Sequence, residues 1–445
     1  MIMLLAMHVG IKAETLTLQQ CIDKARENNR TLQNAVLEMQ AAKEQKSEVY
    51  TKYFPQVSAN VMAFHAFDKM VKGDGTYPQE LQALSQVSPA FTGVAALAGQ
   101  PYSIAELNRG YSATLSIMEP LYAGGKITTG NKLAKLQEEV VALQHSLTEK
   151  DVVQKVRENY WQVAQLKYNL RTIEAAEKQL DAVYKDVENF VRAGVTTRNA
   201  LLKVKLRQQE LASNRLKLEN ARHVMLLLLA QQIGSKEEVD IVLPEGEDAL
   251  QQEHINTAEA VAGREELAMA YKNVEAKQLG IRQERGKMLP TLAVGIMGYH
   301  AGMGGFSDAV KNSLNTSMTN GLALATLSVP ISDWWGGTHA VRRANVKAQQ
   351  AQNDYLDAQE KLAIDIEASW SNLTEAYKQI DIARAGKEDA EENLRMSMNQ
   401  YKMGTETLSD LLDAETLNRK AHDQLASAVA AYHIRLADYQ RKTGR

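Results

Sequence analysis

The chain has 445 residues, 44% of them hydrophobic and 24% charged, a composition that excludes a disordered chain. Its 51 basic and 54 acidic residues leave a net charge of -3, which gives nucleic acid or an anionic surface no global field to follow. A single cysteine, Cys21, excludes an internal disulfide framework and any Cys-rich metal site.

Met1 to Ile11 form a short apolar run ending at Lys12-Ala13-Glu14. This reads as the core and cleavage end of a secretory signal peptide, without the usual basic start, and sets residues 1–13 apart. Cys21 reads as a packed helix residue, because Leu18-Gln19-Gln20 puts bulky side chains where a lipidation signal needs small ones. No later stretch reaches about 18 apolar residues, so no transmembrane helix is expected and any contact with a bilayer falls to strands.

The eight prolines divide the rest. None lies in 126–192, 195–233, 338–402 or 405–443, and a proline inside a helix costs about 3 kcal/mol, so these Ala-, Leu-, Glu-, Lys- and Gln-rich stretches read as helices. The apolar positions of Lys126 to Arg192 keep a 3-4 alternation, the mark of helices supercoiling on neighbours, and at 1.5 Å per residue such a helix is roughly 100 Å long. Between Pro55 and Pro120 the period becomes 2. Tyr111, Ala113, Leu115 and Ile117 alternate with Ser112, Thr114 and Ser116, and Val57, Ala59, Val61 and Ala63 with Ser58 and Asn60. Strands are expected at about 57–67 and 111–118. Residues 68–110, rich in proline and glycine, read as a long exposed loop with a short helix near Gln79–Ser85.

The halves repeat. An offset of 210 residues pairs Pro120 with Pro330, Val156 with Ile366, Tyr160 with Trp370, Gly194 with Gly404 and Leu201-Leu202 with Leu411-Leu412, while Pro55 answers Pro290 at 235. The second inter-proline segment is thus 25 residues shorter, and the difference falls in the loop. Two further strands are expected at about 291–300 and 321–329, with weaker alternation. The organisation is a first repeat at 14–240 with a hairpin of long helices at about 126–230, a linker at 241–260, and a second repeat at 261–445 with its hairpin at about 338–441.

Four strands of about 8 to 11 residues are long enough to cross a bilayer, yet the smallest membrane barrels have about eight. Open edges in lipid leave backbone groups unsatisfied, so a barrel must combine several chains. Two copies supply eight strands and three supply twelve; the strand count alone does not choose.

Glu119-Pro120-Leu121-Tyr122-Ala123-Gly124-Gly125 follows one strand and Val329-Pro330-Ile331-Ser332-Asp333-Trp334-Trp335-Gly336-Gly337 the other. The helix tips are Val191-Arg192-Ala193-Gly194-Val195-Thr196 and Tyr401-Lys402-Met403-Gly404-Thr405. In these motifs and their order the chain resembles the TolC-like outer-membrane efflux proteins over nearly its whole length from Leu16. The resemblance implies a mostly α, α+β fold: a homotrimer whose twelve-stranded β-barrel stands in outer-membrane lipid and continues into a periplasmic α-helical barrel. It implies an exit duct, with a periplasmic adaptor docking on the tips and linking them to an inner-membrane pump. Gly336-Gly337 sits at offset 212 from Gly124-Gly125, with Trp334-Trp335 in place of one aromatic, which reads as a local change of turn.

The resemblance also assigns residues. Arg192, Ala193, Gly194, Val195, Thr196, Lys402, Met403, Gly404 and Thr405 would meet the adaptor, while Asp410, Asp413 and Tyr401 match the family's pore constriction. Read alone, the glycines mark plain helix hairpins and the aspartates a solvated face. Glu406 and Ala200 replace an arginine and an aspartate of the family's closing bonds, so Arg192, Arg198 or Lys402 is expected to supply the positive partner. Phe54, Tyr111, Tyr122, Tyr299, Trp334 and Trp335 read either as interfacial girdles or as packing at helix-strand junctions.

No HExxH, phosphate loop or Gly-x-Ser-x-Gly occurs, so neither an enzyme nor a cofactor is expected, and no nucleic-acid partner. The alternatives are a structural coiled-coil interaction protein, against which the alternation of Tyr111–Met118 speaks, and the periplasmic adaptor itself, which carries one hairpin where this chain carries two.

Overall fold

The computed structural model describes residues 14–67, 71–87, 92–244, 253–307 and 312–444. The reading of residues 1–13 as a signal segment, and part of the linker at 245–252, lie outside them.

In chain order the elements are β1 (Glu14–Leu16), α1 (Leu18–Asn28), α2 (Arg30–Tyr50), β2 (Gln56–His65), β3 (Val71–Thr76), the short helices α3 (Leu84–Val87) and α4 (Thr92–Ala95), and β4 (Pro101–Tyr122). There follow α5 (Lys126–Arg192), α6 (Arg198–Gln232), β5 (Val239–Ile241), α7 (Thr257–Ala262), α8 (Glu265–Lys287), β6 (Thr291–Ser307), β7 (Asn312–Ser328), α9 (Gly336–Met403) and α10 (Leu408–Thr443). The fold is mostly helical. The offsets of the repeat recur in the element starts: β2 and β6 begin 235 residues apart, and α5 and α9, like α6 and α10, 210 apart. By contacts the chain forms two compact units, residues 45–134 with 278–346 and residues 1–44 with 135–277 and 347–445, so each unit draws on both repeats.

The first unit holds an antiparallel sheet in the order β2-β4-β6-β7, with β3 on the far stretch of β4. Directly opposed residues share a face. The rows Val57–Ile117–Ile296–Ala323 and Ala59–Leu115–Gly298–Gly321 lie on one face; Ser58–Ser116–Met297–Leu322 and Asn60–Thr114–Tyr299–Asn320 lie on the other. Across β2 and β4 the first face is apolar from Val57 to Ala63, and the second mixes polar residues with Met62, Phe64 and Met118; on it the Ser58 and Ser116 hydroxyls meet at 2.8 Å. Tyr299 therefore faces away from Tyr111. The strands run further than their alternation indicates. Residues 101–110 belong to β4 and residues 71–76 to β3, inside the stretch read as a loop, because β3 and β6 supply the ladder partners. Near Gln79 a 3-10 turn at Gln79–Ala83 precedes α3.

The turns from strand to helix need left-handed backbone. Gly124 and Gly125 supply it before α5, with φ +62° and +73°. A Cβ on Gly124 would lie 2.3 Å from the Gly286 carbonyl oxygen, so a side chain is also excluded by space. Before α9 the same two positions are Trp334 and Trp335, with φ 52° and 67°, which places the turn at offset 210 rather than at Gly336-Gly337. Gly336 and Gly337 instead open α9, where Asp333 caps the helix by accepting the Gly337 N–H on its carboxylate and the Gly336 N–H on its carbonyl.

The second unit has three buried clusters. In one, the parallel pair β1–β5 packs with Cys21, Ile22 and Ala25 of α1, with Val152, Val156 and Val163 of α5, and with Leu229. Cys21 has no exposed surface, and burial pushes its thiol pKa up to about 12, which fits a packed helix residue. The Tyr160 hydroxyl donates to the Val242 carbonyl at 2.6 Å, and Trp161 stacks on His433 at 3.6 Å. A second cluster joins α7 and α8 to Ile366, Leu373 and Ile380 of α9 and Tyr432 of α10. The pairs Val156 and Ile366, Val163 and Leu373, and Leu170 and Ile380 are all buried, so the repeat is a repeat of core positions. Among the described residues no helix is long and apolar enough to cross a membrane.

Candidate functional site

The third cluster gathers α5, α6, α9 and α10 beside the two hairpin tips, through Leu180, Val183, Val187, Val204, Leu394 and Leu411. The tips are built alike. After α5 the Val195 N–H donates to Phe190 O at 2.8 Å and the Gly194 N–H to Val191 O at 3.1 Å; after α9 the Thr405 N–H donates to Gln400 O and the Gly404 N–H to Tyr401 O, both at 3.0 Å. These bonds around a left-handed residue form a Schellman-type helix end. Gly194 and Gly404 share φ +74°, and a Cβ on either would meet nothing within 4 Å, so conformation alone demands glycine there.

The return helices begin differently. Thr407 caps α10 in a reciprocal box with Asp410, whose Oδ2 accepts from the Thr407 hydroxyl at 2.6 Å and the Thr407 N–H at 3.3 Å. Thr197 heads α6 without a side-chain cap bond. Asp410 is thus committed to its helix end, whereas Asp413 is simply exposed. Tyr401 is half-buried; burial first, and the Asp186 carboxylate of the other hairpin second, raise its pKa.

At the tips Arg192, Ala193, Gly194, Lys402, Gly404 and Thr405 are exposed and Thr196 is half-buried. Val195 and Met403 project apolar side chains that are 72% and 70% exposed. Arg192 pairs with Glu188 of its own helix at 2.9 Å. Among the described contacts none joins Arg192, Arg198 or Lys402 to the other hairpin. The bonds between hairpins come from residues the sequence reading missed. The Lys203 ammonium donates to the Ser409 hydroxyl at 2.8 Å, and Arg207 Nε lies 3.5 Å from Glu415 Oε2.

Glu415 is 4% exposed and neither of its oxygens has a hydrogen-bond partner, so at 3.5 Å Arg207 is a charge neighbour and not a donor. Burial raises its pKa and outweighs the lowering by Arg207 and Arg419. Asp423 is raised in the same way, burial outweighing Arg419 at 3.1 Å. Glu415 and Arg419 border a cavity of about 550 Å³ between α5, α9 and α10, lined also by Arg171, Arg384 and His422. A signal for this polar seam was present. Along α10 the 3-4 alternation runs Leu408, Leu411, Glu415, Asn418, His422, Leu425, so polar residues stand in core positions.

The family described as outer membrane efflux protein matches residues 257–445. No curated protein matches the sequence. Among solved structures the chain is similar to the Neisseria gonorrhoeae MtrE outer membrane channel in its open state, at 17% identity, covering 98% of this chain and 92% of that one with a TM-score of 0.71. It is similar to the Campylobacter jejuni CmeC outer membrane channel at 14% identity, covering 96% and 85% with a TM-score of 0.73. A membrane protein from Pseudomonas aeruginosa matches at 14% identity, covering 97% and 91% with a TM-score of 0.74. The second repeat thus matches the outer membrane efflux protein family, and over nearly its whole length the chain shares the fold of these solved outer membrane channels.

Proposed function

We propose that this protein is the outer-membrane channel of a tripartite efflux system, passing substrates delivered by a periplasmic adaptor and an inner-membrane pump to the outside. The observation that carries the reading is the sheet path β2-β4-β6-β7, which has an apolar face across β2 and β4 and, among the described residues, no partner on the outer edges of β2 and β7. An edge in hydrocarbon costs several kcal/mol for each unsatisfied group, so the sheet requires closure by other copies. Three copies give the twelve strands of the family's barrel, with the helical part in the periplasm. In this reading the tip residues, led by the exposed Val195 and Met403, form the adaptor contact, while Asp413, Asp410 and Tyr401 narrow the pore.

The test is complementation. In a host lacking its own outer-membrane efflux channel but supplied with a matching adaptor and pump, the wild-type chain restores resistance to an exported dye or drug. The double variant Val195→Glu, Met403→Glu loses that resistance while still forming channels in planar bilayers. Full export by the double variant would remove the tips from the adaptor contact.

A further inference from the structure

Two rows of the apolar face depart from its character. Above Val61–Ala113–His300–Thr319 come Ala63–Tyr111–Gly302–Ser317 and then His65–Arg109–Gly304–Asn315. Within three registers the face thus changes from valine and isoleucine to two histidines, an arginine, a tyrosine and two hydroxyls. His65, Arg109, Tyr111, His300 and Thr319 are all exposed. The Tyr111 hydroxyl lies 3.1 Å from His300 Nε2, and His300 Nδ1 lies 2.7 Å from the Thr319 hydroxyl, so a polar chain runs across β4, β6 and β7.

The same rows hold a depression of about 450 Å³, floored by Gly302 and Gly304 and walled by Arg109, Tyr111, Ala63 and Ser317. Glycine is needed on its floor, since a Cβ on Gly302 would lie 2.6 Å from the Tyr111 ring.

The height fits a membrane boundary. Along β4, Tyr122 and Tyr111 are roughly 36 Å apart at about 3.3 Å per residue, and a tilt of about 45° reduces this to about 25 Å, the height of a barrel's apolar band. Tyr122 marks the end that runs on into helix. The Arg109 row therefore stands at the opposite edge of the hydrocarbon.

We propose that this notch binds the phosphate-bearing headgroup of an outer-leaflet glycolipid. Arg109 engages the phosphate, since a guanidinium suits a tetrahedral oxyanion. Tyr111, His300 and Thr319 hydrogen-bond the sugar-phosphate, and the acyl chains lie along Val61, Leu115 and Ile296. The inference rests on the membrane-channel reading above and adds a specific lipid partner to it.

The experiment uses the assembled wild-type protein in detergent, with retention of added lipid read by native mass spectrometry. The probes are a bisphosphorylated outer-leaflet glycolipid, the same lipid after phosphatase treatment, and inorganic phosphate as competitor. The wild type is expected to retain the phosphorylated lipid about tenfold better than the dephosphorylated one, and Arg109→Gln to lose about that preference. Raising the salt from 0.05 M to 0.5 M, about a threefold shortening of the screening length, reduces the wild-type preference even if the variant fails to assemble. Equal retention of the two lipids, a preference insensitive to salt, or full displacement by inorganic phosphate overturns the proposal. Planar-bilayer recording on the same preparation separates the two readings. A conducting channel without headgroup preference defeats this inference alone, and a preparation that never conducts defeats the channel reading.

Discussion

Glu415 is a buried carboxyl without a hydrogen-bond partner. It occupies a core register of α10, where an apolar residue would be neutral to packing, and folding raises its pKa because burial outweighs Arg207 and Arg419. A carboxyl whose pKa is higher in the folded state binds more protons there, so its contribution to stability is full below the ordinary carboxylate range and is lost as the pH rises through the folded value. Glu415→Gln is therefore expected to raise stability at neutral pH by about 1 kcal/mol, the lower end for replacing a buried charge, and to flatten the pH dependence of thermal unfolding relative to the wild type. Parallel wild-type and variant curves from pH 4 to 8 would contradict it. Trp334 and Trp335 make the opposite case. Their left-handed backbone costs about 1–2 kcal/mol each, which glycine relieves at an entropy cost of about 0.5–1 kcal/mol. With 83% and 71% of their surface exposed, they have little packing to lose within the chain. Trp334→Gly or Trp335→Gly is expected to change unfolding stability by less than about 1 kcal/mol, against about 3–5 kcal/mol for a buried tryptophan. A loss in the larger range would mean that the pair is packed in the assembled protein.

At the scale of elements, the two hairpins share their tips and differ in their return helices. Thr407→Ala removes a side-chain cap and is expected to cost about 1 kcal/mol, with faster amide exchange over the first turn of α10; Thr197→Ala, where no cap bond exists, should cost clearly less. Equal costs would dismiss the capping box as the difference between them. Helices were readable because propensity, absent prolines and the 3-4 period all agree over dozens of residues. β2 and the later part of β4 were readable because one face is apolar and the other carries Ser58, Asn60, Ser112 and Ser116. β6 and β7 were weaker signals, since Gly295, Gly298, Gly302 and Gly321 erase the alternation without weakening the ladder. The first ten residues of β4 were hidden for another reason: their strand character is set by pairing with β3 and β6, which are remote in sequence. The Trp334-Trp335 turn was unreadable because tryptophan has no preference for the conformation that its place in the repeat imposes. At the tips the glycines could be read from sequence, but the Lys203 and Arg207 contacts required knowing which helix faces meet.

At the scale of the whole molecule, the repeat explains why one chain leaves its sheet unfinished. Duplication supplies the path β2-β4-β6-β7, two strands from each half with β3 added on β4, and among the described residues the outer edges of β2 and β7 have no partner. If three copies close the barrel, as proposed, the assembled mass is that of a trimer near 148 kDa, three times 49.4 kDa, when detergent is subtracted. In a trimer the exposed Asp413 would recur three times around the pore, and Asp413→Asn is expected to reduce the preference for cations over anions in reversal-potential measurements. The most direct measurement is planar-bilayer recording of the protein purified from outer membranes. The account predicts discrete, long-lived conductance steps from a trimeric species. A monomer that stays in the soluble fraction and never conducts would contradict it.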